Sequence, residues 1–295
     1  MPANPASQPP VSGVPAPQPP VSGVQPSQPP TGGTTGPTAG PTHAGKPSPS
    51  AGPTVYLIPT YLDEQALNPL PAYILDAVKQ CQVFFVENER TARRYLKMLW
   101  KEMVIDDYEW YPIDKKAAES ELKATFRQKL KAGKNIGILS EAGCPGVADP
   151  GQLLTEAAHE AGAIVKPLVG PSSILLALMA SGLNGQQFRF AGYLPVDNAA
   201  RTKALKELEA DSQRLHCTEI FIETPYRNNQ VLAAILATCK PTTRLCVAAN
   251  LTGPNEYIRT LSIAHWRKLS PATATPSATT LPDLHKQPTI FCLLA

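Results

Sequence analysis

The hydrophobic positions of this chain form short apolar runs that alternate with amphipathic stretches, beginning at Thr54. Short apolar runs bounded by turn residues are typical of buried strands, and apolar positions three and four residues apart predict helices. The first half contains predicted strands at 54–60, 83–88, 136–140 and 164–169, and predicted helices at 71–81, 91–103, 120–133 and 150–161. This alternation predicts a mostly parallel sheet that is covered by helices on both faces.

A glycine-proline-serine turn at 169–173 separates this series from a second one. The second series contains predicted helices at 172–181, 200–210 and 228–239, and predicted strands at 188–194, 218–224, 244–250, 257–261 and 288–294. We therefore expect two α/β domains, 54–169 and 170–295, the second with more mixed strand directions.

The N-terminal tail, residues 1–53, has a different composition. It contains no Asp or Glu, its only charged residue is Lys46, and a ten-residue proline-rich motif occurs three times from Ser7 onward. Such a segment cannot bury enough apolar surface to offset its ordering entropy, so we expect it to be disordered. It would serve as a solubilising leader or as a polyproline ligand for an unknown partner. The stretch 270–282 is similar in composition and predicts a mobile loop.

Charge and cysteine usage indicate an intracellular globular protein. The net charge is +3, and the six cysteines include no CxxC pair. We interpret the cysteines as small core residues in a reducing compartment, except Cys144, which lies in a loop. The longest apolar run, Ile174 to Ala180, is too short to span a bilayer, and the N-terminus lacks a secretion signal. The five histidines are scattered and suggest no metal site. We expect a cytoplasmic protein.

The loops that follow the predicted strands carry most of the glycine-proline, acidic and small hydroxyl clusters. Ligands of open α/β sheets bind beyond the carboxyl ends of the strands, so these loops predict one composite pocket. The sequence contains no GxGxxG, GxxxxGK[ST] or GxSxG motif, which argues against the common dinucleotide, P-loop and hydrolase sites. The loop carboxylates are Glu87, Glu89, Glu141, Asp149 and Glu223. They favour a ligand with positive charge or with hydroxyl and amine donors, although each could instead cap a helix or turn.

Several motifs in sequence order carry a family resemblance. They are YLIPT at 56–60, VENERTARR at 86–94, SEAGCPGVADPG at 140–151, VGPSS at 169–173, GYLP at 192–195, ETPYRNN at 223–229 and AANLT at 248–252. With these motifs the chain resembles the tetrapyrrole-methylase superfamily of S-adenosylmethionine-dependent enzymes. Within it, the chain is most similar to the branch of bacterial small-subunit ribosomal RNA 2′-O-ribose methyltransferases.

The resemblance implies a homodimer of two-domain subunits that bind S-adenosylmethionine in the cleft between the domains. Carried over by position, the cofactor-binding residues would be Ser140, Glu141, Ala142, Gly143, Pro145, Asp149, Ser172, Ser173, Tyr226, Ala249, Asn250, Pro288 and Thr289. Glu87 would act as the base, and Arg90, Arg93 and Arg94 would hold RNA phosphates or form an exposed helix face.

The sequence does not determine the methyl acceptor, and three hypotheses about the function follow. The loop after the first strand reads YLDEQAL, which differs from the proline-glycine loop of the ribosomal branch, and the net charge is modest for an RNA-binding protein. The first hypothesis is a methyltransferase acting on ribose in small-subunit ribosomal RNA. The second is a methyltransferase of the same fold acting on a small molecule such as a tetrapyrrole. The third is a non-catalytic binding module whose proline-rich tail recruits a partner.

Overall fold

The computed structural model describes residues 52–113, 119–270 and 279–295. The disorder predicted for the N-terminal tail therefore falls almost wholly outside the described residues. Most of the predicted mobile loop also lies outside them. The described ends of that loop are joined: the Ser270 amide donates to the Thr279 carbonyl, and the Leu281 amide donates to the Ser270 carbonyl, both at 2.9 Å.

The first half of the described chain forms a five-stranded parallel sheet. Its strands are β1 (Thr54–Ile58), β2 (Val83–Val86), β3 (Glu109–Pro112), β4 (Ile136–Leu139) and β5 (Ile164–Pro167), in the order β3-β2-β4-β1-β5. Its helices are α1 (Ile74–Val78), α2 (Glu89–Leu99), α3 (Glu119–Lys131) and α4 (Gln152–Glu160), and a short 3-10 helix spans Ile105–Asp107. All four strand pairings are parallel, as the alternating pattern predicts.

Strand β3 is absent from the sequence prediction, which placed only two helices between residues 91 and 133. β3 is an edge strand whose side chains are at most half-buried, so it lacks the continuous apolar run of the central strands. Its stabilisation comes from neighbouring-strand aromatic pairs: Trp110 stacks on Phe84 at 4.9 Å between ring centroids, and Tyr111 stacks on Phe85 at 5.0 Å. These pairs depend on a neighbouring strand, so local sequence could not reveal them.

The second half forms a mixed five-stranded sheet. Its strands are β6 (Phe188–Tyr193), β7 (Thr218–Ile222), β8 (Arg244–Ala249), β9 (Tyr257–Ser262) and β10 (Thr289–Leu294), in the order β6-β7-β10-β8-β9. Its helices are α5 (Ser173–Ser181), α6 (Asn198–Leu215), α7 (Asn228–Thr238) and α8 (Ile263–Trp266). β6 and β7 are parallel and the other pairs are antiparallel, which confirms the expected mixture. β10 is last in the chain but central in the sheet.

Hydrophobic residues are buried on both faces of each sheet. One face of the first sheet packs around Tyr95 and Phe84, and the other around Phe85 and Phe126. One face of the second sheet packs around Trp266, whose indole donates to the Leu245 carbonyl at 3.0 Å, and the other face is covered by α5. Five cysteines are buried in these cores, and burial raises the pKa of Cys239 to about 12. Within the described ranges, no helix has the length and hydropathy needed to cross a membrane.

Candidate functional site

Strand ends from both sheets surround one cavity of about 520 Å³. The first sheet contributes loops that follow β1, β2 and β4, and the second contributes loops that follow β7 and β8. The start of β10 lies beside the loops that follow β7 and β8. β10 is antiparallel to both of these strands, so its first residue, Thr289, pairs with Ala249 at the end of β8. Parallel strands place their carboxyl ends at one edge of a sheet, which is why loops distant in sequence meet here. The predicted composite pocket is therefore present.

Most carboxylates of the cavity lining come from the first sheet's loops, and most lining residues of the second sheet are apolar. The acidic residues are Asp63, Glu87, Glu141, Asp149 and Glu223. The apolar residues on the second sheet's side are Phe190, Tyr193, Ile222, Pro225, Ala248, Leu251, Pro288 and Ile290. Among the described residues that line the cavity, none is Lys, Arg or His. Within residues 52–113, 119–270 and 279–295, no group of three or more His, Cys, Asp or Glu side chains could hold a metal ion.

The loop after β4 has a backbone that requires its glycines. Gly143 and Gly146 have φ angles of +76° and +81°, in the left-handed region that favours glycine, and Ala148 also has a φ of +59°. A Cβ on Gly143 would lie 3.3 Å from both the Leu62 side chain and the Pro171 carbonyl oxygen. The Gly143 carbonyl accepts a hydrogen bond from the Thr60 amide at 2.9 Å, which ties the loop to the end of β1.

Asp149 closes this loop. One carboxylate oxygen, Oδ1, accepts hydrogen bonds from the Gly146 and Gly151 amides, both at 2.7 Å. The other oxygen, Oδ2, is buried and has no hydrogen-bond partner among the described residues. Burial raises the pKa of this carboxyl above its usual range and the Glu87 charge raises it further, while the two amide bonds oppose the shift. Asp149 is therefore a turn residue with one oxygen left for a ligand.

Glu87 and Glu141 connect the ends of β2 and β4. The Glu141 amide donates to the Glu87 carboxylate at 3.1 Å, and both side chains line the cavity. Glu87 is half-buried and lines the cavity. Its predicted role as base stays a prediction.

Residues of the second half supply hydroxyl and amide groups to the cavity. Ser172 is the N-cap residue of α5, yet it makes no side-chain capping bond, and it lines the cavity with Ser173. Asn250 has a left-handed φ of +50°, its amide donates to the Pro288 carbonyl, and its side chain donates to the Gln287 side chain. These contacts hold the Pro288–Thr289 turn against the end of β8.

Four predicted cofactor residues do not line the cavity with their side chains: Ser140, Pro145, Tyr226 and Ala249. Ser140 and Pro145 are buried beneath the loop. Ala249 points into the core around Trp266, because successive strand residues face opposite sides and Ala248 takes the cavity side. Tyr226 is 66% exposed, and its ring lies beside His285 and Lys286. For these four residues, the role in cofactor binding stays a prediction.

The three predicted arginines lie on α2, outside the cavity lining. Arg93 pairs with Glu89 and its guanidinium lies 5.2 Å from the Trp110 ring centroid. Arg94 pairs with Glu64. Arg90 is exposed and forms no ion pair among the described residues. The helix therefore leaves Arg90 as the arginine that is best placed to contact an external anion.

Glu223 lines the cavity but was not among the residues carried over from the family motifs. It is 5% exposed and directly follows β7. One carboxylate oxygen, Oε1, accepts from the Thr224 amide at 2.6 Å and from the Arg227 guanidinium. The available signal was its place beyond a strand among the other loop carboxylates. That signal identified a pocket residue without giving it a role.

The fold and the cavity define a two-sheet α/β protein with a cavity at its strand ends. The chain belongs to the tetrapyrrole (corrin/porphyrin) methylases, since the model of that family matches residues 70–265. It is therefore a methyltransferase.

The chain is similar to the ribosomal RNA small subunit methyltransferase I of Vibrio cholerae serotype O1, with 29% identity over 222 residues. This match covers 74% of the chain and 72% of the relative. It is 37% identical over 140 residues to the protein of the same name from Escherichia coli O157:H7, and that match covers 48% of each chain, about half the relative's length.

The crystal structure of the methyltransferase CobJ resembles this structure with a TM-score of 0.51 and 18% sequence identity. It covers 83% of this chain and 94% of that chain, and at this identity the likeness concerns the fold alone. Together with the two sheets, it confirms the predicted α/β fold class.

Proposed function

We propose that this chain uses S-adenosylmethionine to methylate a ribose 2′-hydroxyl in small-subunit ribosomal RNA. The observation that carries the cofactor proposal is the cavity lining, with five carboxylates and, among the described lining residues, no cationic side chain. Such a lining favours a ligand with a sulfonium and an ammonium group over a phosphate. The named relatives, which are ribosomal RNA methyltransferases, support the choice of acceptor.

The residues present fit this cofactor. A cavity of about 520 Å³ falls within the range of roughly 300–1,000 Å³ that is typical of small-molecule sites. The buried Oδ2 atom of Asp149 and the Oε2 atom of Glu223 lack partners among the described residues and can accept hydrogen bonds from a ligand. Glu141, Ala142, Gly143, Asp149, Ser172, Ser173, Asn250, Pro288 and Thr289 are the cofactor-binding residues that we propose.

S-adenosylmethionine supplies a methyl group on a positively charged sulfur, and the protein must align an acceptor oxygen with it. The loop after β4 contacts the turn that precedes Ser172, since the Cys144 thiol donates to the Pro171 carbonyl, and together the two segments would restrict the orientation of the ligand. Glu87 lies at the cavity edge, where it would accept the proton of the ribose hydroxyl as the oxygen attacks. Arg90 would hold an RNA phosphate, and Arg93 and Arg94 would do so only after leaving Glu89 and Glu64.

We also propose a homodimer. Helix α5 packs Ala177 and Leu178 against the second sheet, yet Leu175 and Met179, four residues apart on another face, are 50% and 78% exposed. Val169, just before the helix, is 68% exposed. A helix that is apolar on more than one face is normally covered on more than one face.

A ribosomal RNA substrate would place the dimer in the cytoplasm.

The test of the function is methyl transfer with the purified full chain. Tritiated S-adenosylmethionine and small ribosomal subunits from a strain lacking the gene should yield label in a 2′-O-methylated nucleoside after nuclease digestion. Label in a tetrapyrrole, with none in the RNA, would replace this acceptor by the small-molecule alternative. Failure to bind S-adenosylhomocysteine would favour the non-catalytic module.

Glu87 and Glu89 provide a matched pair for the same assay. Glu87→Gln removes the proposed base and should lower kcat by about 100-fold or more with little change in cofactor affinity, since general bases contribute roughly 10²–10⁴-fold. Glu89→Gln changes a neighbouring carboxylate that pairs with Arg93 outside this cavity, and it should retain near-native kcat. Equal kcat values for the two variants would remove Glu87 from the mechanism.

A further inference from the structure

Glu223 has a carboxylate oxygen for which the described protein provides no partner. Its side chain is fully buried, with 0% exposed area. Oε1 is occupied by the Thr224 amide and the Arg227 guanidinium, while Oε2 has no hydrogen-bond partner among the described residues. A buried acceptor left unpaired costs about 1–3 kcal/mol, and more when it is charged. Glu223 lines the cavity, so a ligand bound there is the candidate for the missing partner.

The surroundings of Glu223 restrict the chemistry of that partner. The Arg227 guanidinium balances the Glu223 charge, so the pair has little net charge to attract a further cation. A neutral hydrogen-bond donor meets the remaining oxygen without adding an unbalanced buried charge. The sulfonium and ammonium groups would lie nearer the carboxylates of the first sheet's loops, Asp63, Glu141 and Asp149.

The second sheet's side of the cavity combines apolar surface, which suits a flat ring, with one carboxylate, which suits a hydroxyl donor. Ile222, Pro225, Ala248, Pro288 and Ile290 contribute apolar surface. Among the described lining residues contributed by this sheet and its loops, Glu223 is the only carboxylate. A nucleoside has this combination of a flat base and neutral hydroxyl donors, and a carboxylate is a common acceptor for a ribose hydroxyl.

We propose that Glu223 is a cofactor-binding residue whose Oε2 atom accepts a hydrogen bond from a ribose hydroxyl of the adenosyl group. This inference rests on the proposed use of S-adenosylmethionine and assigns one side of the cavity to the nucleoside. The methionine end of the cofactor then lies toward the acidic loops of the first sheet, near Glu87.

Glu219, in the strand that Glu223 follows, is a matched control. It lies four residues before Glu223 and is also fully buried, with Oε2 paired to the Arg189 guanidinium at 2.9 Å. Its Oε1 atom likewise has no partner among the described residues. Glu219 does not line the cavity, so it reproduces the burial and the ion pair without the ligand contact.

The experiment combines protein variants with ligand variants. Calorimetry would measure binding of S-adenosylhomocysteine and of its 2′-deoxy and 3′-deoxy ribose analogues to the native chain, E223Q and E219Q. The native chain should bind at least one deoxy analogue about 10- to 100-fold more weakly, the range expected for one hydrogen bond to a charged acceptor. E223Q should bind S-adenosylhomocysteine about as weakly as that analogue and should no longer distinguish the two, because a glutamine bonded through its oxygen turns its NH₂ group toward the hydroxyl.

E219Q should keep native affinity and native discrimination, whatever it does to stability. Equal affinity of the native chain for all three ligands would overturn the inference while leaving the proposed cofactor intact, and this arm needs no variant to fold. Native discrimination retained in E223Q would overturn it as well. Absence of any S-adenosylhomocysteine binding to the native chain would instead refute the proposed function, and the inference with it.

Discussion

At the scale of single residues, the site contains carboxylates that each bind the backbone with one oxygen and leave the other without a partner among the described residues. Asp149 and Glu223 share this arrangement, although they follow strands of different sheets. The backbone bonds fix each side chain before a ligand arrives. A site organised in this way loses little side-chain entropy on binding.

Asp149 allows its two roles to be separated by substitution. Asp149→Ala removes the acceptor of the Gly146 and Gly151 amides and should lower the free energy of unfolding by about 1–3 kcal/mol. Asp149→Asn keeps an acceptor oxygen and should retain most of that stability. Both variants should bind S-adenosylhomocysteine more weakly, as measured by calorimetry. Native affinity in both variants would remove Asp149 from the cofactor site.

The pH dependence of these variants follows from the raised pKa of Asp149, which burial causes. A carboxyl whose pKa is higher in the folded than in the unfolded state disfavours folding once it ionises. The native chain should therefore gain stability relative to Asp149→Asn as the pH falls from above the raised value to below the ordinary aspartate value. Urea unfolding of both chains across this window checks the sign, and a relative loss at low pH would contradict it.

At the scale of elements, helix starts show which polar residues serve the fold and which are free for a ligand. The Asn88 side chain accepts from the Arg90 and Thr91 amides at the start of α2, and Asp197 accepts from the Ala200 amide at the start of α6. Ser172 occupies the equivalent position of α5 without such a bond. Its hydroxyl lines the cavity instead.

This difference predicts opposite effects for two alanine substitutions. Asn88→Ala should lower the free energy of unfolding by about 1 kcal/mol, the usual loss of an N-cap. Ser172→Ala should change stability by less than about 0.5 kcal/mol, in the range of uninvolved positions, and should weaken S-adenosylhomocysteine binding. Chemical denaturation and calorimetry on both variants test the pair. A stability loss at Ser172 equal to that at Asn88 would assign its hydroxyl to the helix rather than the ligand.

At the scale of the whole molecule, helix α5 has an exposed apolar face among the described residues. Leu175 and Met179 lie on this face, beside the Ser172–Ser173 turn that contributes to the cavity. A dimer formed here would place a second copy close to the site and would restrict how an RNA strand approaches it.

Met179→Glu tests the dimer. An unpaired charge buried in an interface should raise the dimer dissociation constant by about 100-fold or more, so light scattering should change from twice the 31.6 kDa chain mass to a single chain. Val104→Glu is the control, because Val104 is 56% exposed in the other half of the chain. A native chain that is monomeric at micromolar concentration would exclude this interface.

The sequence by itself determined the features that depend on local chemistry. Continuous apolar runs placed the central strands, because a strand buried on both faces must be apolar throughout. Glycines and prolines beyond those strands placed the loops, and the carboxylates among them predicted the acidic pocket.

The tertiary structure alone decided the features that depend on partners distant in the chain. β3 is stabilised by aromatic rings of β2. β10 lies between β7 and β8, and this central position depends on pairing with two strands that are distant in the chain. Ala248 faces the cavity while Ala249 faces the core, a choice that a one-residue shift in register would reverse. The burial of the unpaired Glu223 oxygen was also decided by the tertiary structure, because it results from contacts that no local sequence pattern encodes.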